Sequence, residues 1–342
     1  MKRDNCFDFL RFVLAFNVVL GHWTVVSTID ELQAFSGIFK TYLSVTGFFV
    51  ISGFLIAQSF EHSSSVRSYF SKRARRLLPA YLFVIFGCAF GLAGLSTLPA
   101  AEYFTSPDLW KYLGANLCFL NFLHPSLPGV FDHPLISDTA VNGSLWTLKI
   151  EVGFYLVIPL LMLWLRKSRR PWLVLLFIYV SAVLYKSGLV ALSESSRFGM
   201  ASFLSHQLPA FMSYFAAGMA AYRYKDFFLR YKGYMVLPAL VVFLVERHFG
   251  LEIFTPLAWG IVILWCAYSL PALNNFAKYG DISYGIYIYH GPIFKILLTL
   301  GLFTQIGVWP ASAVFIACVI LTGLVSWHLL ENRFLKRKPS KS

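Results

Sequence analysis

Ten apolar runs, each close to the length that crosses a lipid bilayer, follow one another along this chain of 342 residues. They lie near 7–27, 38–60, 77–98, 145–165, 171–192, 206–222, 233–248, 253–271, 282–302 and 310–330. A spanning helix rises about 1.5 Å per residue and needs about 20 residues to cross the hydrocarbon core. Only 13% of the residues are charged, roughly half the ~25% of a soluble domain. Lipid, not water, must therefore cover most of the surface. The pattern predicts an all-α integral membrane protein, a bundle of about ten transmembrane helices. No small-residue cleavage site follows the first run, so that helix is expected to stay in the membrane as an anchor. The stretch 109–123 has the apolar character of a re-entrant or interfacial segment.

The net charge of +13 could suggest nucleic acid, but the position of the basic residues argues otherwise. With a cytoplasmic N-terminus, the inner segments are the N-tail, 61–76, 166–170, 223–232, 272–281 and the C-tail. They hold 21 of the 29 Lys and Arg, against Lys111, Arg197 and Arg247 in the outer loops. That bias is the signature of a multi-pass protein with both termini cytoplasmic. It implies one transmembrane domain over 1–335 and a short basic tail at 336–342. The longest loop, 99–144, falls on the outer side, where a loop of that length serves as a lid or rim. Five cysteines stand singly without metal-ligand spacing, so neither a disulfide framework nor a metal site is expected.

Ionisable groups inside spans are costly and mark candidate sites. In the first run Arg11 and His22 are eleven residues apart, about 20° beyond three full turns. They share a face at about 16 Å separation, and Asp8 is close enough to pair with Arg11. An imidazole is the usual general base for a hydroxyl; the alternative is a structural hydrogen bond to another helix. Arg73 and Arg76 lie on one face at the start of a span. Guanidinium forks suit phosphate, although inside-positive anchoring alone explains many such clusters. Asn142 or Ser144 can cap the helix that carries Trp146, Thr147, Glu151 and Tyr155, with Glu151 and Tyr155 on one face. Ser283, Tyr287 and His290 form one helical stripe.

These segments resemble the membrane-bound acyltransferase family 3, O-acyltransferases of surface polysaccharides and glycolipids. The matching residues are Arg11 with His22, the run Phe48-Phe49-Val50-Ile51-Ser52-Gly53, and Arg73-x-x-Arg76-Leu-x-Pro79-x-Tyr81. Asn142 with Trp146, Thr147 and Glu151 matches too, as do Tyr214-Phe215-Ala-Ala-Gly218, Ser283-Tyr284-Gly285-Ile-Tyr287-x-x-His290 and Glu331-x-x-Phe334. They occur in the family's order across nearly the whole chain.

The resemblance implies a bacterial inner-membrane enzyme that moves an acyl group, most often acetyl, from acyl-CoA to a hydroxyl of a sugar in a surface polysaccharide or glycolipid. On that reading acyl-CoA is a co-substrate rather than a permanently bound cofactor, and the partners are the carbohydrate acceptor and the lipid bilayer. His22 would be the base or acyl carrier, Arg11 would stabilise developing charge, and Glu151 would orient the histidine or bind the sugar. Arg73 and Arg76 would hold the CoA phosphates. Trp146, Tyr155, Ser283, Tyr287 and His290 would line the acceptor cavity. The residues by themselves leave a second reading open, a proton-coupled secondary transporter of a small polar solute, for which an inverted repeat would be the sign. A scaffolding role would leave the burial of Arg11, His22 and Glu151 without a reason.

Overall fold

The computed structural model describes residues 4–195 and 199–335. Lys2, Arg3, Arg197 and the tail at 336–342 lie outside them. Every named element is helical, and one isolated bridge joins Ser27 to Ile136. Helices occupy all ten places marked by the apolar runs: α1 Phe7–Val25, α2 Thr41–Glu61, α3 Val66–Gly91, α4 Trp146–Lys167, α5 Pro171–Ser195, α6 Leu208–Arg223, α7 Lys225–Phe249, α8 Thr255–Ser269, α9 Ser283–Thr299 and α10 Val308–Ser326. Among the described residues seven helices are long and apolar enough to cross a membrane: α1 to α5, α7 and α10. An eighth results if α8 and Pro271–Tyr279 form one span across their 73° bend. The chain is thus a multi-pass membrane protein.

The shorter members have local causes. Pro271 cannot continue α8, which ends at Ser269 with 15 residues. Gly301, with φ +71°, closes the end of α9 after 17 residues. Pro209 sits at the start of α6, which has 16 residues. Other helices outrun their apolar cores. α3 begins at Val66 rather than near 77, with Ser65 Oγ accepting from Ser68 N at 3.0 Å, and α7 begins at Lys225 rather than 233. Their first turns are rich in Lys and Arg, which are good helix formers whose long stems can snorkel to water. Arg67, Lys72, Arg73, Arg75 and Arg76 are therefore helical residues, not loop residues.

The chain divides into two compact units. Unit 1 is Met1–Arg11, Tyr42–Phe70 and Ile150–Phe276; unit 2 is Phe12–Thr41, Ser71–Lys149 and Ala277–Ser342. In unit 1, 61% of the apolar window of α2 is buried, against 22% for α5 and 17% for α7. The large apolar side chains left outside, such as Phe177, Leu184, Leu237 and Leu244, suit lipid contact. Edge-on, tilted and stacked rings of Phe49, Phe154, Phe211 and Phe215 fill the interior between α2, α4 and α6, with the ring centres of Phe154 and Phe215 only 4.1 Å apart. Glu246, buried near the end of α7, accepts from the backbone N–H groups of Ile253, Phe254 and Thr255 and so caps the start of α8. Lys186 and the hydroxyls of Tyr42 and Tyr214 converge on the carboxylate of Glu252.

Helices α2 and α6 touch backbone to backbone. A Cβ added at Gly218 would lie 2.0 Å from the Val50 carbonyl oxygen, and one at Gly53 would lie 2.1 Å from that of Phe215. Small residues at a membrane-helix contact permit this approach. Gly218→Val is expected to lower stability by about 1–3 kcal/mol or to block folding, because the helices must separate. Gly87→Ala, which meets nothing within 4 Å, is the control. Thermal unfolding of both purified variants in detergent checks this, and equal stability would contradict the packing described.

In unit 2 the long segment 99–144 is largely ordered. Helices Ala100–Thr105 and Pro107–Leu117 occupy its first part, and Ser106 Oγ caps the second through Asp108 N at 3.3 Å. The expected re-entrant stretch 109–123 holds most of that second helix and an irregular continuation. The remainder is tied down next to the end of α1 that carries His22. Ser137 N donates to Val26 O at 2.9 Å, and Thr28 N donates to Leu135 O at 3.2 Å. The Lys295 ammonium, 3% exposed, spends its donors on Asp138 Oδ1, Asp138 O and Ala140 O at 2.8, 2.9 and 2.5 Å.

Candidate active site

Helix α1 runs unbroken from Phe7 to Val25, so Arg11 and His22 stand on one face of one element. His22 is partly exposed. Its Nδ1 lies 2.7 Å from Nε2 of His290, and the two ring centres are 4.9 Å apart. His290, on α9, is 0% exposed, and its Nδ1 lies 3.2 Å from the Ile286 carbonyl one turn back. A carbonyl only accepts, so His290 Nδ1 carries the proton of that bond. With both rings neutral, His290 Nε2 is then a lone pair, and His22 Nδ1 must donate to it. The nitrogen left over, His22 Nε2, carries a basic lone pair. One carbonyl therefore sets the tautomer of two imidazoles in series, the usual way an orienting group readies a base.

The remaining stripe on α9 fixes this pair. Tyr287 lies 6.1 Å from His290 ring to ring, and its hydroxyl is 2.6 Å from that of Thr147. Asn142 donates to Ile288 O at 2.7 Å and accepts from Ser144 N and Oγ, so one side chain caps the 3-10 turn leading into α4 and grips α9. Gly291 lies against this contact, since a Cβ there would be 3.2 Å from Asn142 Oδ1. Trp146, partly exposed, opens α4.

Ser283 belongs to a different cluster. It begins α9, seven residues and about 10 Å along the axis before His290. Its hydroxyl donates to Asp281 Oδ1 at 2.5 Å, while Arg76 donates to Asp281 Oδ2 at 2.5 Å and to Glu331 Oε2 at 3.5 Å. Glu331 is 0% exposed, and Ser326 Oγ donates to its other oxygen at 3.1 Å. The Arg76 guanidinium also lies 5.8 Å from the Trp327 ring centre and 6.0 Å from that of Tyr284. Arg76 thus joins α3 to the residues just before α9 and to the turn Trp327–Glu331 that follows α10. Arg73, one turn earlier on α3, is partly exposed.

Unit 1 holds the other expected site residues, Arg11, Glu151 and Tyr155. The Tyr155 hydroxyl donates to Glu151 Oε1 across one turn of α4, and Tyr69 donates to the Tyr155 carbonyl at 3.2 Å. The pairing of Asp281 with Arg76 and of Asp138 with Lys295 is not visible in the sequence pattern. The pattern signals only that a basic side chain within an apolar helix requires a partner.

The family model described as "Acyltransferase domain" matches residues 4–331. The chain is 26% identical to the "O-acetyl transferase" of Shigella phage Sf6, over 100% of this chain and 99% of that protein. It is 27% identical to "Nodulation protein 10" of Rhizobium leguminosarum bv. viciae, over 98% and 94%. A "Putative acetyltransferase ORF330" of Acidianus two-tailed virus shows 25% identity over 78% and 77%. No solved structure matches the chain. A match over nearly its whole length, on a helical membrane scaffold, makes the chain a member of the acyltransferase 3 family and an acyltransferase of groups other than amino-acyl groups.

Proposed function

We propose that the protein is a multi-pass enzyme of a bacterial inner membrane that transfers an acyl group, most often acetyl, from acyl-CoA to a sugar hydroxyl of a surface polysaccharide or glycolipid. The observation that carries the chemistry is the His22–His290 pair, which leaves a basic lone pair on a partly exposed imidazole. His22 Nε2 takes the proton of the acceptor hydroxyl as its oxygen attacks the thioester carbonyl. The C–S bond then breaks, and the imidazolium returns the proton to the departing CoA thiolate. Arg11, on the same face of α1 about three turns from His22, acts on the transfer through its long-range field. Arg73 contacts the donor phosphates by a charge-assisted fork, and Arg76 fixes the helix that presents it. Glu151, hydrogen-bonded to Tyr155, and the Trp146 and Tyr287 side chains meet the acceptor.

Supporting the acetyl assignment are the phage Sf6 relative, an "O-acetyl transferase", and the Acidianus virus relative, a "Putative acetyltransferase". The seven to eight candidate spans are read as ten crossings, with α6, α8 and α9 as short spans, because the charge bias then places both termini inside. Single cysteines at Arg67, Ser168 and Lys232 should accordingly resist impermeant thiol reagents in intact cells. Rapid labelling of any one would reverse that orientation. Mass spectrometry of surface polysaccharides and glycolipids from cells with and without the protein tests the function. A protein-dependent acyl mass increment on a sugar is the expected result, and identical spectra would contradict it.

A further inference from the structure

A second site lies in unit 1, where the C-terminal ends of α2, α4 and α6 come together around a cavity of about 430 Å³. Its floor is apolar: Ala57 on α2, Met162 and Leu165 on α4, and Met219 on α6. Two guanidinium groups stand at its wall, Arg166 from α4 and Arg223 from α6. Each lies near an aromatic ring, Arg166 at 5.9 Å from the centre of Phe60 and Arg223 at 5.7 Å from that of Tyr224. Such contacts hold the planar forks in place. One carboxylate faces the same space, Glu61, whose Oε2 accepts from the Tyr222 hydroxyl at 2.7 Å.

Depth in the bilayer is marked independently. Trp164 on α4 and Trp172 on α5 lie within two turns of Arg166 and Pro171, and both are about half exposed. Exposed tryptophans at helix ends mark the headgroup level. An apolar floor, two forks and a hydroxyl-facing carboxylate at that level complement an amphiphile with a phosphate in its head. We infer that this cavity binds a phosphate ester joined to an apolar chain, namely the head of an anionic phospholipid. The phosphate pairs with Arg166 and Arg223, a glycerol hydroxyl reaches Glu61, and the first chain methylenes rest on Met162, Leu165 and Met219. Phospholipid binding here is separate from the transfer reaction and does not depend on the donor being acyl-CoA.

A phosphate ester on a long arm also occurs in CoA, so the test uses both. Full-length protein in phosphate-free maltoside micelles is titrated with dihexanoyl-phosphatidylglycerol and, separately, with CoA. The Arg166→Gln/Arg223→Gln variant should bind the phospholipid about tenfold or more weakly, because two charge-assisted contacts are lost. Arg166→Lys should fall between, since the charge stays and the fork goes. Arg169→Gln/Arg170→Gln removes the same charge outside the cavity and should change affinity by no more than about twofold. Equal weakening in this control would overturn the site in favour of diffuse attraction. Unchanged phospholipid binding in the cavity variant, or a loss of CoA binding instead, would also overturn it. Thermal unfolding of each variant, with both arginines exposed, verifies that the fold is intact.

Discussion

His22→Gln or His22→Ala should lower acyl transfer about 100- to 10,000-fold, the usual contribution of a general base. Membrane insertion and CoA binding should stay near the parent values. The expectation follows from the series Ile286 carbonyl, His290, His22, in which each bond fixes the proton of the next. It also separates the two histidines. On the proposed mechanism His290, which is buried, acts on the acceptor hydroxyl only through His22 and so serves as a positioning residue. His290→Ala should leave His22 without its acceptor and lower kcat strongly with little change in KM. His290→Gln places an amide oxygen near the lost Nε2 and should recover part of that activity. Steady-state kinetics with purified variants in nanodiscs read the split. A His22→Gln variant within a few-fold of the parent would remove the imidazole from the reaction.

Arg76→Ala should be the most destabilising of the arginine substitutions, by about 3–5 kcal/mol, because a buried carboxylate pair loses its cation. Glu331 is 0% exposed and Asp281 9% exposed, so water cannot replace the guanidinium cheaply. Adding Glu331→Gln to Arg76→Ala should restore part of the loss, a coupling that a double-mutant cycle measures. The readout is thermal unfolding in detergent beside a CoA-binding titration. If Arg76→Ala unfolds like the parent but fails to bind CoA, the fork serves the donor instead of the fold.

Much of this architecture is legible in the sequence because apolar runs and charge placement are one-dimensional signals. All ten runs contain helices, and the positions that stop three of them short, Pro209, Pro271 and Gly301, are visible too. Helix starts were harder to read, since Lys and Arg in the first turns of α3 and α7 interrupt hydropathy without interrupting the helix. Of the site, the Arg11–His22 spacing and the Tyr287–His290 stripe follow from helical period alone. The direct His22–His290 bond does not, because it joins residues 268 positions apart. Ser283 shows the limit of a stripe: it shares a face with His290, yet its hydroxyl belongs to Asp281 and the Arg76 cluster. Likewise Gly53 and Gly218 are recognisable as small residues, but only the packed helices reveal that each faces a carbonyl.

Direct transfer requires that CoA release and acceptor acylation be one event. Purified protein reconstituted in nanodiscs is supplied with radiolabelled acetyl-CoA and a carbohydrate acceptor fraction from the host surface. Release of CoA thiol and appearance of label on the carbohydrate should rise together, one for one, and both should vanish in His22→Gln. Labelled carbohydrate formed equally without the protein, or no transfer together with proton-driven solute uptake by proteoliposomes, would contradict the account and favour a transporter.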